Sequence, residues 1–344
     1  MRILAQSQEA QKASVLVETL QTYFVSKLND ISRILGKDVK FEAITWERDE
    51  GIHGGGVRYE ARDESIFNRA SVNVSQVHYD EDETKKLSSA TAISTIIHPA
   101  NPHAPSMHMH ISWTQMRDGV GYWRIMGDLN PSLSNEEFQH EFESALQKAS
   151  GKYYVEAKSQ GDRYFDIPVL ERTRGVSHFY LENFNTGDFE ADRKFAQSMG
   201  VDIIDAYISI VSQALNCEST YTEEEKMTQI DYHTLYLFQV LTLDRGTTSG
   251  LLVHNQNDVG IMGSIPSHIN KPLLYSWLDL MPHPQERLLL RLIDALPEGR
   301  MVYVTATVKK RLASALRAHY KEFPEALSMQ ASSESIPPTV DNHS

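Results

Sequence analysis

The chain of 344 residues has a single cysteine, Cys217. No intramolecular disulfide can form, so a secreted, disulfide-stapled scaffold is excluded and a reducing compartment is indicated. Long apolar runs are also missing. The longest, near Tyr236 to Leu243, is strand-length and far short of the roughly 18 residues that span a bilayer. The opening residues, MRILAQSQEAQKAS, lack the apolar core of a signal peptide. We therefore expect a cytoplasmic protein that does not enter a membrane. Basic runs are absent and the net charge is −13, which argues against a nucleic-acid partner. An acidic protein can still hold an anionic small molecule if arginines gather in a pocket.

Two reaction signatures are missing as well. Gly54-Gly55-Gly56 lacks the lysine and hydroxyl of a phosphate loop and reads as a tight turn. No Ser/His/Asp triad pattern appears, and Cys217 has no basic neighbour in sequence, so we read it as structural.

What is present is ordinary globular composition, 41% hydrophobic and 23% charged. Leu16, Leu20 and Phe24 recur at helical spacing, so Glu9 to Leu35 reads as a helix that stops at Gly36. Strand-like segments follow at Val39–Trp46, Val57–Glu60, Ser71–His78, Ala92–Ile97, Met107–Thr114 and Gly121–Met126. Their close spacing predicts a meander, hence an antiparallel sheet. Helices are expected at Asn135–Ala149, Phe189–Leu215, Pro284–Leu296 and Val308–Phe323. Further strands are expected at Gly175–Leu181, Thr234–Leu243, Gly250–His254, Val259–Ile265 and Met301–Ala306. The fold class is α+β: a large, mainly antiparallel β-sheet flanked by helices on both faces. Residues 1–327 should form one domain, with 328–344 a disordered tail rich in Ser and Pro.

The stretch from Ser94 to Trp113 carries the most chemistry. On a strand, Ser106, His108, His110 and Ser112 share one face, and Met107, Met109, Ile111 and Trp113 share the other. The two imidazoles stand about 7 Å apart along the strand. Three readings are open: a solvated polar face, a metal site with His98, His140 or Glu182 as a further ligand, or acid–base work. Asp244-Arg245-Gly246-Thr247 reads as a turn in which Asp244 bonds backbone amides.

Taken in order, these segments resemble the aerobic coproporphyrinogen III oxidases. The resemblance runs over residues 40 to 277. It rests on Trp46-Glu-Arg-Asp-Glu-Gly, on Phe67 to Ser75, and on His98-Pro-Ala-Asn-Pro with His108. It continues in Gly127-Asp128-Leu129, Arg174-Gly175, Phe179-Tyr180-Leu181-Glu182 and Asp244-Arg245-Gly246-Thr247. It implies a homodimer in heme biosynthesis that converts two propionates of a tetrapyrrole, coproporphyrinogen III, to vinyl groups. Molecular oxygen is the co-substrate, and no organic cofactor is implied. Position by position, it assigns His108, Asp244 and Arg245 to catalysis. It places Ser94 at a substrate-contact serine; Arg174 and Arg124, the latter new at its position, are expected to hold carboxylates, and His110, Ser112, Asn255 and Asn257, which stand where the family has other residues, are expected to face the substrate.

Some bacterial relatives are described with manganese; of the histidines concerned, His98 and His140 have matches, while the third position falls near Val169, which cannot ligate. A metal is therefore doubtful. The chain also departs from the pattern. Ser112 stands where an arginine is expected, Asn255-Gln256-Asn257 replaces Gly-Gly-Arg, and 282–327 exceeds the family's usual length. Two alternatives stay open: a histidine-based metal-dependent oxygenase, and a non-catalytic or re-specialised tetrapyrrole-binding member.

Overall fold

In the computed structural model, the described residues are 2–37, 39–61, 64–217, 220–332, 340 and 343. Seven strands form one sheet in the order β1-β2-β3-β4-β5-β6-β9, every neighbouring pair antiparallel. They are β1 (Phe41–Glu47), β2 (Gly54–Ala61), β3 (Phe67–His78), β4 (Leu87–Pro99), β5 (Ser106–Met116), β6 (Gly121–Asn130) and β9 (Val176–Phe184). Between β6 and β9 lie the two-residue strands β7 (Asp166–Ile167) and β8 (Arg172–Thr173). A second small pair joins β10 (His268–Asn270) to β11 (Met301–Tyr303).

Alternation along the central strands assigns the two faces. Val72, Val74, Ile93, Ile97, Met107, Met109, Ile111 and Trp113 point into one core. That core is closed by α1 (Gln8–Ile34), α2 (Glu136–Ser150) and α4 (Phe189–Cys217). The Ser7 side chain caps α1 by accepting from the Ala10 amide at 3.1 Å, and Leu16, Leu20, Phe24 and Leu28 line its buried stripe. The other face carries small or polar residues: Ser71, Asn73 and Ser75 on β3, Ala90, Ala92 and Ser94 on β4. A second core lies beyond it, built from α5 (Glu223–Thr242), α6 (Arg245–Val253), α8 (Lys271–Ser276), α9 (Gln285–Ala295) and α10 (Ala306–Glu322). The sheet thus has helices on both faces, and the space above its small side chains becomes a cleft.

Several local expectations are corrected. Thr234–Leu243 is not a strand but the last part of α5, which is buried nearly all round and so shows little amphipathic period. Its start was legible, since Thr222 and Glu225 form a reciprocal capping box. Gly250–His254 belongs mostly to α6. Val259–Ile265 is mostly α7 (Asp258–Ile261) and a 3-10 turn. Short apolar runs of this kind do not distinguish a strand from a buried helix. The expected strand Met301–Ala306 shrinks to Met301–Tyr303, because Ala306 already opens α10.

Gly54-Gly55-Gly56 is the start of β2 rather than a turn. Gly54 has φ 91°, and a Cβ there would sit 2.1 Å from the Gln76 carbonyl oxygen. The helix α3 (Tyr154–Tyr164) was not anticipated; no side chain caps its start. The tail expected from Ser328 falls largely outside the described residues. Within the described part, the Gln330 amide donates to Thr248 Oγ1 and the Tyr320 hydroxyl at 2.5 and 3.0 Å. No helix among the described residues is long and apolar enough to cross a membrane.

Candidate active site

The cleft has a volume of about 300 Å³, at the small end for a ligand site. Its floor is the small-residue face of β3 and β4 continued by the polar face of β5 and β6. Its roof comes from α5 and α6, and Tyr164, Arg174 and Tyr180 close one side. The sheet register decides which side chains meet. His108 stands opposite Asp128, His110 opposite Met126, and Ser112 opposite Arg124 on β5 and β6. Ser94 on β4 faces His110 on its other side.

His108 is held by a buried ionic relay. Its Nδ1 donates to Asp128 Oδ1 at 2.8 Å. The Arg174 Nη2 donates to both Asp128 oxygens at 3.1 and 2.9 Å, and Asn130 Nδ2 donates to Oδ2 at 2.6 Å. Asp128 is 0% exposed and Arg174 1%. Burial pushes the Asp128 carboxyl up, but the Arg174 guanidinium and His108 outweigh it and hold it well below the usual carboxylate range. An ionised acceptor fixes the His108 proton on Nδ1 and leaves Nε2 as the ring's other functional edge. Arg174 is itself clamped between the rings of Phe165 and Tyr236, 4.3 and 5.0 Å away, and donates to Gln239 Oε1 at 2.9 Å. Although it borders the cleft, its guanidinium is committed to Asp128, so it positions His108.

Asp244 is the N-cap of α6: Oδ1 accepts from the Thr247 amide at 2.6 Å and Oδ2 from the Tyr164 hydroxyl at 3.0 Å. The expected bond from Asp244 to a backbone amide is present, but residues 245–247 open a helix rather than forming a turn, and the carboxylate also borders the cleft. Burial, then Asp244, pushes the Tyr164 phenol well above its ordinary value, so it stays a donor. Arg245 forms a buried ion pair with Glu182, which also accepts from the Tyr180 hydroxyl at 2.8 Å. His110 Nε2 meets Ser112 Oγ at 3.0 Å. Burial, then Arg124 and His108, pushes the His110 imidazole down to about 3, so it is neutral at physiological pH.

The structure therefore brings His108, Asp244, Arg245, Ser94, His110, Ser112, Arg124 and Arg174 to one cleft. Asn255 and Asn257 are not among its lining residues: Asn255 is exposed and Asn257 half-buried, in the turn between α6 and α7. His98 and His140 do not share a site. His98 is fully buried, with Nδ1 at 2.7 Å from Ser106 Oγ and Nε2 at 3.0 Å from the Ser264 carbonyl, whereas His140 is exposed on α2. Among the described residues no group of three or more His, Cys, Asp or Glu side chains is arranged to hold a metal.

Sequence reasoning gave no site role to Asp128, Tyr122, Tyr164, Tyr180, Tyr236 or His254. A signal existed for some of them. Tyr122, Arg124, Met126 and Asp128 alternate on one face of β6, as Tyr180 and Glu182 do on β9.

Fold and cleft together define an α+β protein with a cleft, bordered by charged side chains, between a sheet and its covering helices. A family model for coproporphyrinogen III oxidase matches residues 12–293. The chain belongs to the coproporphyrinogen III oxidase family. The match reaches α1 and ends within α9, past Met281. The oxygen-dependent coproporphyrinogen-III oxidase of Rickettsia bellii (strain OSU 85-389) is 30% identical over 247 residues, covering 68% of this chain and 86% of that protein. The mitochondrial oxygen-dependent coproporphyrinogen-III oxidase of Homo sapiens is 29% identical over 251 residues, covering 66% of this chain and 54% of that protein. The Drosophila melanogaster protein of the same activity name is 28% identical over 253 residues, covering 67% and 64%. The chain thus spans about half the length of the human protein it matches.

Proposed function

We propose that this protein oxidatively decarboxylates propionate side chains of coproporphyrinogen III, with molecular oxygen as the acceptor, in heme biosynthesis. For each propionate the balance is R–CH2–CH2–COOH plus O2 giving R–CH=CH2, CO2 and H2O2. Two such events give protoporphyrinogen IX. The observation that carries this reading is the relay Arg174–Asp128–His108, opening onto a cleft that also holds Asp244 and Arg124.

In this reading His108 Nε2 exchanges the proton of the reacting propionate arm, and Asp128 holds the ring in one tautomer. Asp244 polarises a pyrrole N–H, which makes the ring more electron-rich toward oxygen. Tyr164 and the Thr247 amide hold Asp244 in place. The neutral His110 adds no charge beside the departing carboxylate. Neither an organic cofactor nor a metal takes part, and the protein is a cytoplasmic homodimer.

The test is incubation of the pure protein with coproporphyrinogen III in air, followed by chromatography of the oxidised porphyrins. Appearance of tricarboxylic and dicarboxylic products supports the proposal, and none over hours sinks it. The same samples should show no more than traces of metal by mass spectrometry. A second reading, tetrapyrrole binding without turnover, draws on the internal pairing of Arg174 and Arg245. It is favoured only by tight binding with no product.

A further inference from the structure

Three arginines border the cleft, and their surroundings differ. Arg174 is engaged by Asp128 and Gln239. Arg245 is paired with Glu182. Arg124 has no carboxylate partner among the described residues. The Tyr122 ring centre lies 5.8 Å from the guanidinium carbon. Its Nε is buried and makes no hydrogen bond.

Arg124 is part-buried, and Glu182 acts on it only through space rather than as a bonded partner, so its guanidinium keeps donors for an anion. Its planar fork matches a carboxylate, which accepts two parallel hydrogen bonds. Across the floor a complementary atom is also unfilled: Asn73 Oδ1 is buried and bonded to nothing. Asn73 lies in the cross-strand row Asn73–Ser94–His110–Met126, three strands from β6, about 14 Å by strand spacing. Between them the floor is Ala92, Ser94, His110 and Ser112, whose small neighbours leave room for a flat ligand.

We propose that Arg124 is the sole carboxylate anchor of the cleft, with Asn73 the acceptor for a ring N–H at the opposite side. Ligand choice then rests on one propionate, and carboxylates beyond the first add little affinity. This deepens the tetrapyrrole reading and rests on it.

The test compares binding of coproporphyrin III, with four carboxylates, and deuteroporphyrin IX, with two, by fluorescence quenching. A soluble monocarboxylate, 3-(pyrrol-3-yl)propionate, and its methyl ester are titrated by calorimetry. The two porphyrins should bind within about threefold of each other, and Arg124→Gln should weaken both by about tenfold or more. Arg124→Gln should also erase the preference for the pyrrole acid over its ester. Asn73→Leu should weaken acid and ester alike.

Arg124→Lys keeps the charge without the fork and should fall between wild type and Gln, which guards against a folding artefact. Ser112 stands directly opposite Arg124, so the swap S112R/R124S should restore acid preference. A gain above about thirtyfold for the tetracarboxylate, or unchanged acid preference in Arg124→Gln, overturns the anchor while leaving the tetrapyrrole reading intact. Failure of wild type to bind either porphyrin removes the tetrapyrrole reading. The anchor then stands only if the pyrrole acid still binds through Arg124, and falls if it does not.

Discussion

Replacing Asp128 with Asn keeps the shape of the relay and removes its charge. In the native protein Arg174 and Asp128 are a fully buried pair, 2.9 Å apart. The substitution leaves Arg174 charged and buried with only neutral side-chain acceptors, the new amide oxygen and Gln239. Breaking a buried pair from one side costs about 3–5 kcal/mol. At about 2 °C per kcal/mol for a chain of this size, the melting temperature should fall by about 6–10 °C.

The second effect is chemical. An Asn amide can donate toward His108 Nδ1, where the carboxylate can only accept. The ring proton then moves to Nε2, which reverses the edge facing the cleft. A positioned acid–base group contributes about 10²–10⁴-fold, so kcat should fall by that order, with little change in porphyrin affinity. Calorimetric melting and single-turnover assays on Asp128→Asn measure both. A variant within about 1 kcal/mol of wild type that keeps more than about a tenth of its kcat would refute the relay, since both figures lie below the cost of breaking such a pair.

Acid should unfold the protein earlier than its carboxylates alone would require. His98, His110 and His254 are pushed down by burial to about 3, so the unfolded chain takes up their protons first. Stability is full above the unfolded value near 6.5 and declines as pH falls from there toward 3; at pH 5 each contributes a loss of about 2 kcal/mol. Urea midpoints at pH 7.5, 6 and 5 should decline steadily; a flat profile to pH 5 contradicts these buried neutral imidazoles. Gly54→Ala should cost more than about 1 kcal/mol, since φ is 91° and the new Cβ would meet the Gln76 carbonyl at 2.1 Å. A denaturation midpoint equal to wild type would show that β2 can shift at that point.

The meander was legible because each of its strands has one apolar and one small or polar face, and period-two alternation survives in the sequence. The long helices α1 and α4 were legible from their buried stripes. The roof of the cleft was not. The helices α5 and α6 are buried on most sides, so their apolar runs match a strand as well as a helix. At the site, the face shared by His108, His110 and Ser112 followed from alternation, but the partners that give those residues their character did not. Asp128 lies 20 residues from His108 and Arg174 46 residues from Asp128, and only the strand register brings them together. Likewise Glu182 neutralises Arg245 across 63 residues. A chain can therefore keep its arginines in sequence while only some remain available to a ligand.

The most direct measurement is aerobic turnover of coproporphyrinogen III by wild type and His108→Ala, with folding of the variant checked by calorimetry. Wild type should release protoporphyrinogen IX through a tricarboxylic intermediate, and the folded variant should lose about 10²-fold or more of that rate. Undiminished turnover by the variant, or none by wild type, would contradict a decarboxylation driven through His108.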